Sequence, residues 1–571
     1  MKKLISILLL LAMLCGCGAS GAESEFIRIS SIDGSSKILP PRFEELEYVR
    51  PGSEALEAKI AAVSEALDSG KGLRTVTALL DDCYREYYDY YTMMVLADIL
   101  ASRDYTDEGL AAENEWCENL FYTMQELMDE MYHICGASSM ADKLEKSYFW
   151  DGFAEEYAED DGEALYSEKL LRLYEDESAL MTRYYSLMAS PEIEIDGMMV
   201  NYNDYAMTAS DEDYDRAMEA FYDKYNPLVS EIYIELVKLR HEIAAELGYD
   251  SYKQMQYQYY FERDYTEQDA EKYIQNIKKH IVPLYRRVME TEPYDNVSYD
   301  WLSEQRLLEI IGEGAANMGG EVQQAFEFMT GLGYYDCAVD DRKVPMSFQS
   351  YLTSCEAPFL FMDAYGDMED ILTFSHEFGH YTNAFVSYDM YGSIDNSECF
   401  SQAMEYLMLE NIQSALSAAE CENLYLMKML DTIELYVQQA SFAEFENRVY
   451  AAEPEKLDAD FLNELSLQLA EEYAYSEGMN EKVLAMSWID IPHYFEMPFY
   501  TVSYPVSNDA AMQIYELERS GAGSGMEKYS ELLSASDGTL LYSLEAAGLE
   551  SPFAAGRIER VAKLLEEALL S

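Results

Sequence analysis

Histidine is scarce in this chain, six in 571 residues, yet two of the six stand four apart in His376-Glu377-Phe378-Gly379-His380. Positions four apart share one face of a helix, so two imidazoles can meet a single metal ion. The Glu that follows the first His then lies in reach of a proton on a metal-held water. Zinc held in this way acidifies water and polarises a carbonyl, which is the chemistry of peptide hydrolysis. A catalytic zinc takes a third protein ligand and keeps one position open. The next helix, beginning near Asn396, offers Glu398, Glu405 and Glu410. Glu398 and Glu405 are one heptad apart and can face the same way. In a chain with 108 acidic residues, spacing alone does not choose among them.

These residues need a buried, rigid support. Ile371, Leu372, Phe374 and Phe378 give the motif helix an apolar face, which predicts burial rather than a solvent-facing helix with chance histidines. Short β-like runs precede it between Val344 and Met362, including Pro358-Phe359-Leu360-Phe361-Met362. Helices are expected from about 368 to near 390, from 397 to 416 and from 422 to 451. Upstream, residues 42 to 190 are acidic and Gly-poor, with apolar residues at helical spacing, as in Leu120, Phe121, Met124, Leu127, Met128 and Met131. Ile193 to Val200 reads as a β-hairpin turning at Asp196-Gly197, with a domain boundary close to it. Residues 208 to 330 return to helices, punctuated by Gly248 and Pro283. The expected architecture is mainly α with a small sheet just before the motif helix. The expected division is a helical domain over 42–200 and a catalytic domain over 201–571.

Composition narrows the partners. Lys+Arg is 39 and Asp+Glu is 108, a net charge of −69. Such a chain is repelled by nucleic acid, which excludes nucleic-acid binding as its main function. The seven cysteines from Cys83 to Cys421 are widely spaced and none forms a CxxC pair, so a thiolate zinc site has no support. The N-terminus reads as an export signal: Lys2 and Lys3 precede an apolar run from Leu4 to Leu14, too short to span a bilayer comfortably. The run ends Leu14-Cys15-Gly16-Cys17, which resembles the bacterial lipobox. That resemblance implies a signal peptide over 1–16, a lipidated Cys17, and a flexible tether over 17–41 holding the protein on the outer face of the cytoplasmic membrane.

The segment from Asp370 to His380, followed by Ser397-Glu398-Cys399-Phe400-Ser401-Gln402-Ala403-Met404-Glu405, resembles the oligoendopeptidase F and thimet oligopeptidase family of zinc peptidases. The resemblance covers roughly residues 200 to 560, and the helical region before it more weakly. It implies a zincin-like fold, with helical lobes around a deep channel, and one Zn²⁺ per chain. It implies Glu398 as the third ligand beside His376 and His380. Phe442-Ala443-Glu444-Phe445-Glu446 is similar to the FAEFE helix of the oligoendopeptidase F branch. Pro358 to Tyr365 is similar to the strand that pairs with substrate backbone, and Glu246-Leu247-Gly248-Tyr249 to the entry of the catalytic region.

Downstream, the stretch from Ile491 to Tyr504 resembles the family segment in which a His and successive Tyr face the zinc. Carried over, His493 would hydrogen-bond substrate or the tetrahedral intermediate, and Tyr500 or Tyr504 would donate to the developing oxyanion. The segment departs from the family where Val502 replaces a further Tyr and Pro505 follows Tyr504. Glu377 would be the general base, acting on zinc-bound water and then passing the proton to the leaving amine. Glu405 and Asp370 are candidates to orient a ligand imidazole from behind. The substrates implied are oligopeptides short enough for a channel. Two other readings fit parts of the sequence. A peptide-binding lipoprotein explains the anchor but gives Glu377 nothing to do. A metallocarboxypeptidase on a similar scaffold would release one terminal residue at a time.

Overall fold

The computed structural model describes residues 40–157, 167–387, 393–476, 479–522, 524–536 and 538–570. The expected signal peptide, Cys17 and the tether as far as residue 39 lie outside the described residues. The chain is mainly α, with two small sheets. The helices that carry the site are α1 Leu73–Arg103, α2 Glu168–Ala189, α3 Asp211–Glu246, α4 Gly320–Leu332, α5 Asp370–Ser387, α6 Ile394–Asn411, α7 Ala418–Ala451 and α8 Ser503–Leu517. The strands are β1 Glu192–Ile195, β2 Met198–Asn201, β3 Tyr335–Asp336, β4 Phe348–Leu352 and β5 Ala357–Phe361. Among the described residues no helix is long and apolar enough to cross a membrane.

Two compact units are present, each assembled from stretches far apart in sequence. One takes residues 40–157 and 299–387. In it, β5 is buried along its whole length and lies between β3, parallel to it, and β4, antiparallel to it. The pairing matches Tyr335 with Leu360 on one side and Ser350 with Phe359 on the other. The peptide groups of Leu360 and Phe361 are therefore committed on both sides. Of the run Pro358 to Tyr365, expected to pair with a substrate backbone, Leu360 and Phe361 are thus already paired within the sheet; β3 reaches no other residue of β5, and the outer strands are β3 and β4. α1 is fastened to this sheet by Arg103 Nε on Asp336 Oδ2 at 2.6 Å and by the Ser354 amide on Thr92 Oγ1 at 2.8 Å. α5 follows β5 after a short loop and packs back on it, with α4 along its flank and Phe326 edge-on to Phe378 at 5.9 Å.

The other unit takes residues 167–298 and 393–570. Its hairpin is as the sequence predicts: Ile193 faces Val200 and Ile195 faces Met198. Asp196 and Gly197 both have positive φ, 52° and 81°, as a type I′ turn requires. The core of this unit is the packing of α6 on α8. α6 is buried nearly all round, so its polar groups must find partners inside. Ser507 Oγ donates to the Asp395 carbonyl at 2.7 Å, and the Tyr406 hydroxyl donates to Asn508 Oδ1 at 3.2 Å.

Candidate metal centre

Asp370 is the first residue of α5. Asp370 accepts from the amides of Tyr365 at 2.9 Å and Gly366 at 2.7 Å, closing the loop that enters the helix. Gly366 has φ of 81°, and a Cβ there would meet Val339 Cγ2 at 3.3 Å, so the loop depends on glycine. Asp370 thus anchors the helix entry; burial raises its pKa and the two amides oppose that rise. Ile371, Phe374, Phe378 and Tyr381 form the buried stripe, as the apolar pattern predicts. That stripe fixes the rotation of α5. The His376 and His380 rings lie 5.0 Å apart, centre to centre, at 77° to each other. Glu377 is buried beside them.

In the second unit, α6 buries Glu398 completely. The Tyr500 hydroxyl donates to Glu398 Oε1 at 2.8 Å, and the Ser401 hydroxyl approaches Oε2 at 3.2 Å. His493 stacks parallel on the Tyr500 ring at 5.2 Å, and its Nε2 lies 3.4 Å from the Tyr504 hydroxyl. Burial pushes the His493 pKa down to about 4, against a smaller upward pull from the Glu398 charge, so its imidazole is neutral at neutral pH. Glu398, His493, Tyr500 and Tyr504 are thus brought together. Glu405 sits with the buried Lys428, whose Nζ lies 2.6 Å from its Oε2 and 2.8 Å from Asp431 Oδ2.

Among the described residues, His376, His380 and Glu398 form a group able to hold a metal ion, one ligand atom of each lying within 4.8 Å of the others. Two imidazoles and a carboxylate are a donor set that suits a divalent transition metal such as zinc.

Three supporting charges were not singled out from the sequence. Arg240, on α3, is fully buried. It donates through Nε to Glu177 Oε1 of α2 at 2.7 Å, through Nη1 to the Tyr494 carbonyl at 3.0 Å and through Nη2 to the Phe495 carbonyl. It thereby clamps the short helix that carries His493. Arg263 donates to Ser503 Oγ at 2.8 Å, at the start of α8. Glu446, on α7, accepts from the Phe499 amide at 2.8 Å. A signal was present in two cases. Arg240 continues the stripe Tyr233, Leu236, Val237, and Glu446 lies four residues after Phe442 and three before Val449; a charge on an apolar stripe must find a partner inside.

Comparison with known proteins gives the family and the fold. Residues 43–155 match the model of the peptidase M3 N-terminal domain, and residues 319–548 match that of peptidase family M3. The chain is 28% identical over 196 residues to the chromosomal oligoendopeptidase F of Lactococcus lactis subsp. cremoris, covering 33% of this chain and 32% of that protein. It is 29% identical over 229 residues to the oligopeptidase PepF of Bacillus subtilis (strain 168), covering 37% of this chain and 33% of that protein. These matches span about a third of the length of the curated relatives. The fold is that of PZ peptidase A solved with an inhibitor, with a TM-score of 0.72 at 20% identity, covering 92% of this chain and 99% of that one. Through both family models, and with oligoendopeptidase F proteins among its relatives, the chain belongs to peptidase family M3.

Proposed function

We propose that the protein is a zinc-dependent oligoendopeptidase tethered outside the cytoplasmic membrane. The observation that carries this reading is the convergence of one ligand atom each from His376, His380 and Glu398 within 4.8 Å, with Glu377 next to the first ligand. Zinc held by those three residues would supply a Lewis acid that acidifies water and polarises a peptide carbonyl. Glu377 takes a proton from the attacking water on its carboxylate and delivers it to the leaving amine. His493, neutral at working pH, holds an N–H that can be given to the carbonyl oxygen as charge builds there. Tyr504 is the phenol suited to the same task, being partly exposed beside His493. Tyr500 is buried and gives its hydrogen to Glu398, which suits it to hold that carboxylate in place. Export and lipidation at Cys17 rest on the leader and the lipobox-like Leu14-Cys15-Gly16-Cys17. Oligopeptides, rather than folded proteins, are the substrates that its relatives' names suggest.

The test is incubation of the protein with a mixture of short peptides, with added zinc and with a chelator, read by mass spectrometry. Cleavage at internal bonds that stops with chelator and returns with zinc is the expected result. Release of single C-terminal residues would replace the endopeptidase reading with a carboxypeptidase. Intact peptides retained by zinc-loaded protein would replace it with a binding lipoprotein. Labelling of the expressed chain by a fatty acid, lost in Cys17→Ser, tests the anchor separately.

A further inference from the structure

Met497-Pro498-Phe499-Tyr500 is a tight turn, closed by the Tyr500 amide on the Met497 carbonyl at 3.1 Å. Proline stands second, as such turns favour, but the third position has φ of 67° and is Phe499, where glycine is the usual residue. A bulky residue in the left-handed region is strained and persists only where its surroundings impose it. Two features impose it here. The Phe499 ring is buried and packs on Tyr450 at 5.0 Å. Its amide does not close the turn. Inside the protein that N–H would be orphaned, and it is taken by Glu446 Oε1 at 2.8 Å, while the Thr501 hydroxyl reaches Oε2 of the same carboxyl at 3.5 Å. Glu446 thus holds the backbone just before Tyr500 and the Thr501 side chain just after it, and Tyr500 points its hydroxyl at Glu398 Oε1.

We propose that Glu446 is a positioning residue for the metal centre: it holds the Phe499 turn so that the Tyr500 hydroxyl orients the Glu398 carboxylate. This rests on Glu398 being a metal ligand. The acting element is the acceptor oxygen, not the charge, so Glu446→Gln should retain the effect and Glu446→Ala should lose it.

The test compares the full chain with Glu446→Ala, Glu446→Gln, Tyr500→Phe and the double variant Glu446→Ala/Tyr500→Phe. Zinc retention is measured by competition with a chelator. Position 500 is also labelled with 3-fluorotyrosine and followed by ¹⁹F NMR in metal-free protein, after circular dichroism has shown each variant folded. Expected is a loss of zinc affinity of about 10- to 100-fold in Glu446→Ala, the range usual for a residue behind a ligand. The double variant should be no worse than Tyr500→Phe alone, because both changes cut one chain of contacts. The fluorine resonance should move in Glu446→Ala and stay in Glu446→Gln. Equal losses from Glu446→Ala with and without the Tyr500 hydroxyl would overturn the proposal, as would an unmoved resonance. A Glu446→Gln variant as impaired as Glu446→Ala would overturn it too. Wild-type protein that takes no zinc would refute the metal reading, and the resonance would still decide whether Glu446 positions Tyr500. If Glu446→Ala does not fold, Glu446→Gln and Glu446→Leu decide between acceptor and bulk.

Discussion

Tyr500 gives its hydroxyl hydrogen to Glu398 Oε1 at 2.8 Å while its ring lies flat against His493, at 5.2 Å and an interplanar angle of 1°. One buried phenol therefore sets the direction of a carboxylate and walls an imidazole. This separates the two tyrosines that the sequence could not rank. Tyr500→Phe keeps the ring and the stack and removes only the hydrogen bond. It should weaken zinc binding by about 10- to 100-fold and cost less activity once zinc is saturating. Chelator competition alongside kcat at high zinc checks both halves; unchanged zinc affinity would detach Tyr500 from Glu398.

Glu377 is buried on the helix that carries both histidines, yet it is not in the metal-holding group. Glu377→Gln should leave zinc content unchanged and lower kcat by about 10²- to 10⁴-fold, the usual worth of a positioned general base. Metal analysis together with peptide hydrolysis distinguishes this from loss of the metal. Undiminished hydrolysis would remove Glu377 from the mechanism.

Glu446 carries a pH signature. Burial lifts its pKa from 4.5 to about 8, against the pull of the Phe499 amide and of two arginines. The folded state therefore holds a proton that the unfolded state releases between those values. The stability from this group is full below pH ~4.5 and is lost as pH rises through ~8. Glu446→Gln cannot release that proton, so its stability should gain on wild type as pH rises from about 5 to 8.5. Urea midpoints across that range measure the difference; parallel curves would mean that Glu446 is ionised throughout.

Arg240 and Glu177 are an ion pair removed from water, at 2.7 Å. Breaking such a pair from one side leaves a charge stranded, so Arg240→Met should cost about 3–5 kcal/mol and free the carbonyls of Tyr494 and Phe495 next to His493. Arg240→Met with Glu177→Leu should recover much of that stability without restoring the two carbonyl contacts. Activity that stays low in the double variant, with stability regained, would separate the clamp from simple destabilisation.

Much of the chemistry was legible because it is local. The four-residue spacing of His376 and His380 fixes a shared helical face, and the stripe Ile371, Phe374, Phe378 predicts which face is buried. Asp196-Gly197 predicts its hairpin because two positive φ angles admit few residues. The place of β5 in its sheet was not legible, for a physical reason. An all-apolar run marks a buried strand, but burial does not tell a central strand from an edge, and only the neighbours β3 and β4 reveal that Leu360 and Phe361 are paired on both sides. Glu405 and Asp370 were read as supports for an imidazole; in the structure, Lys428 and the amides of Tyr365 and Gly366 are among their partners.

By itself the sequence determined the helix that bears the histidines, the Glu that stands beside the first of them, and the large negative net charge. These follow from residue type and short periodicities, which a linear chain displays directly. Only the tertiary structure decided that residues 299–387 pack with the N-terminal stretch, that Tyr500 serves Glu398, and that Arg240, Arg263 and Glu446 hold the segment from His493 to Ser503. These contacts of Tyr500, Arg240, Arg263 and Glu446 cross 53 to 255 positions of sequence. They are set by which buried polar group finds which partner once the core has closed, and no local pattern encodes that choice.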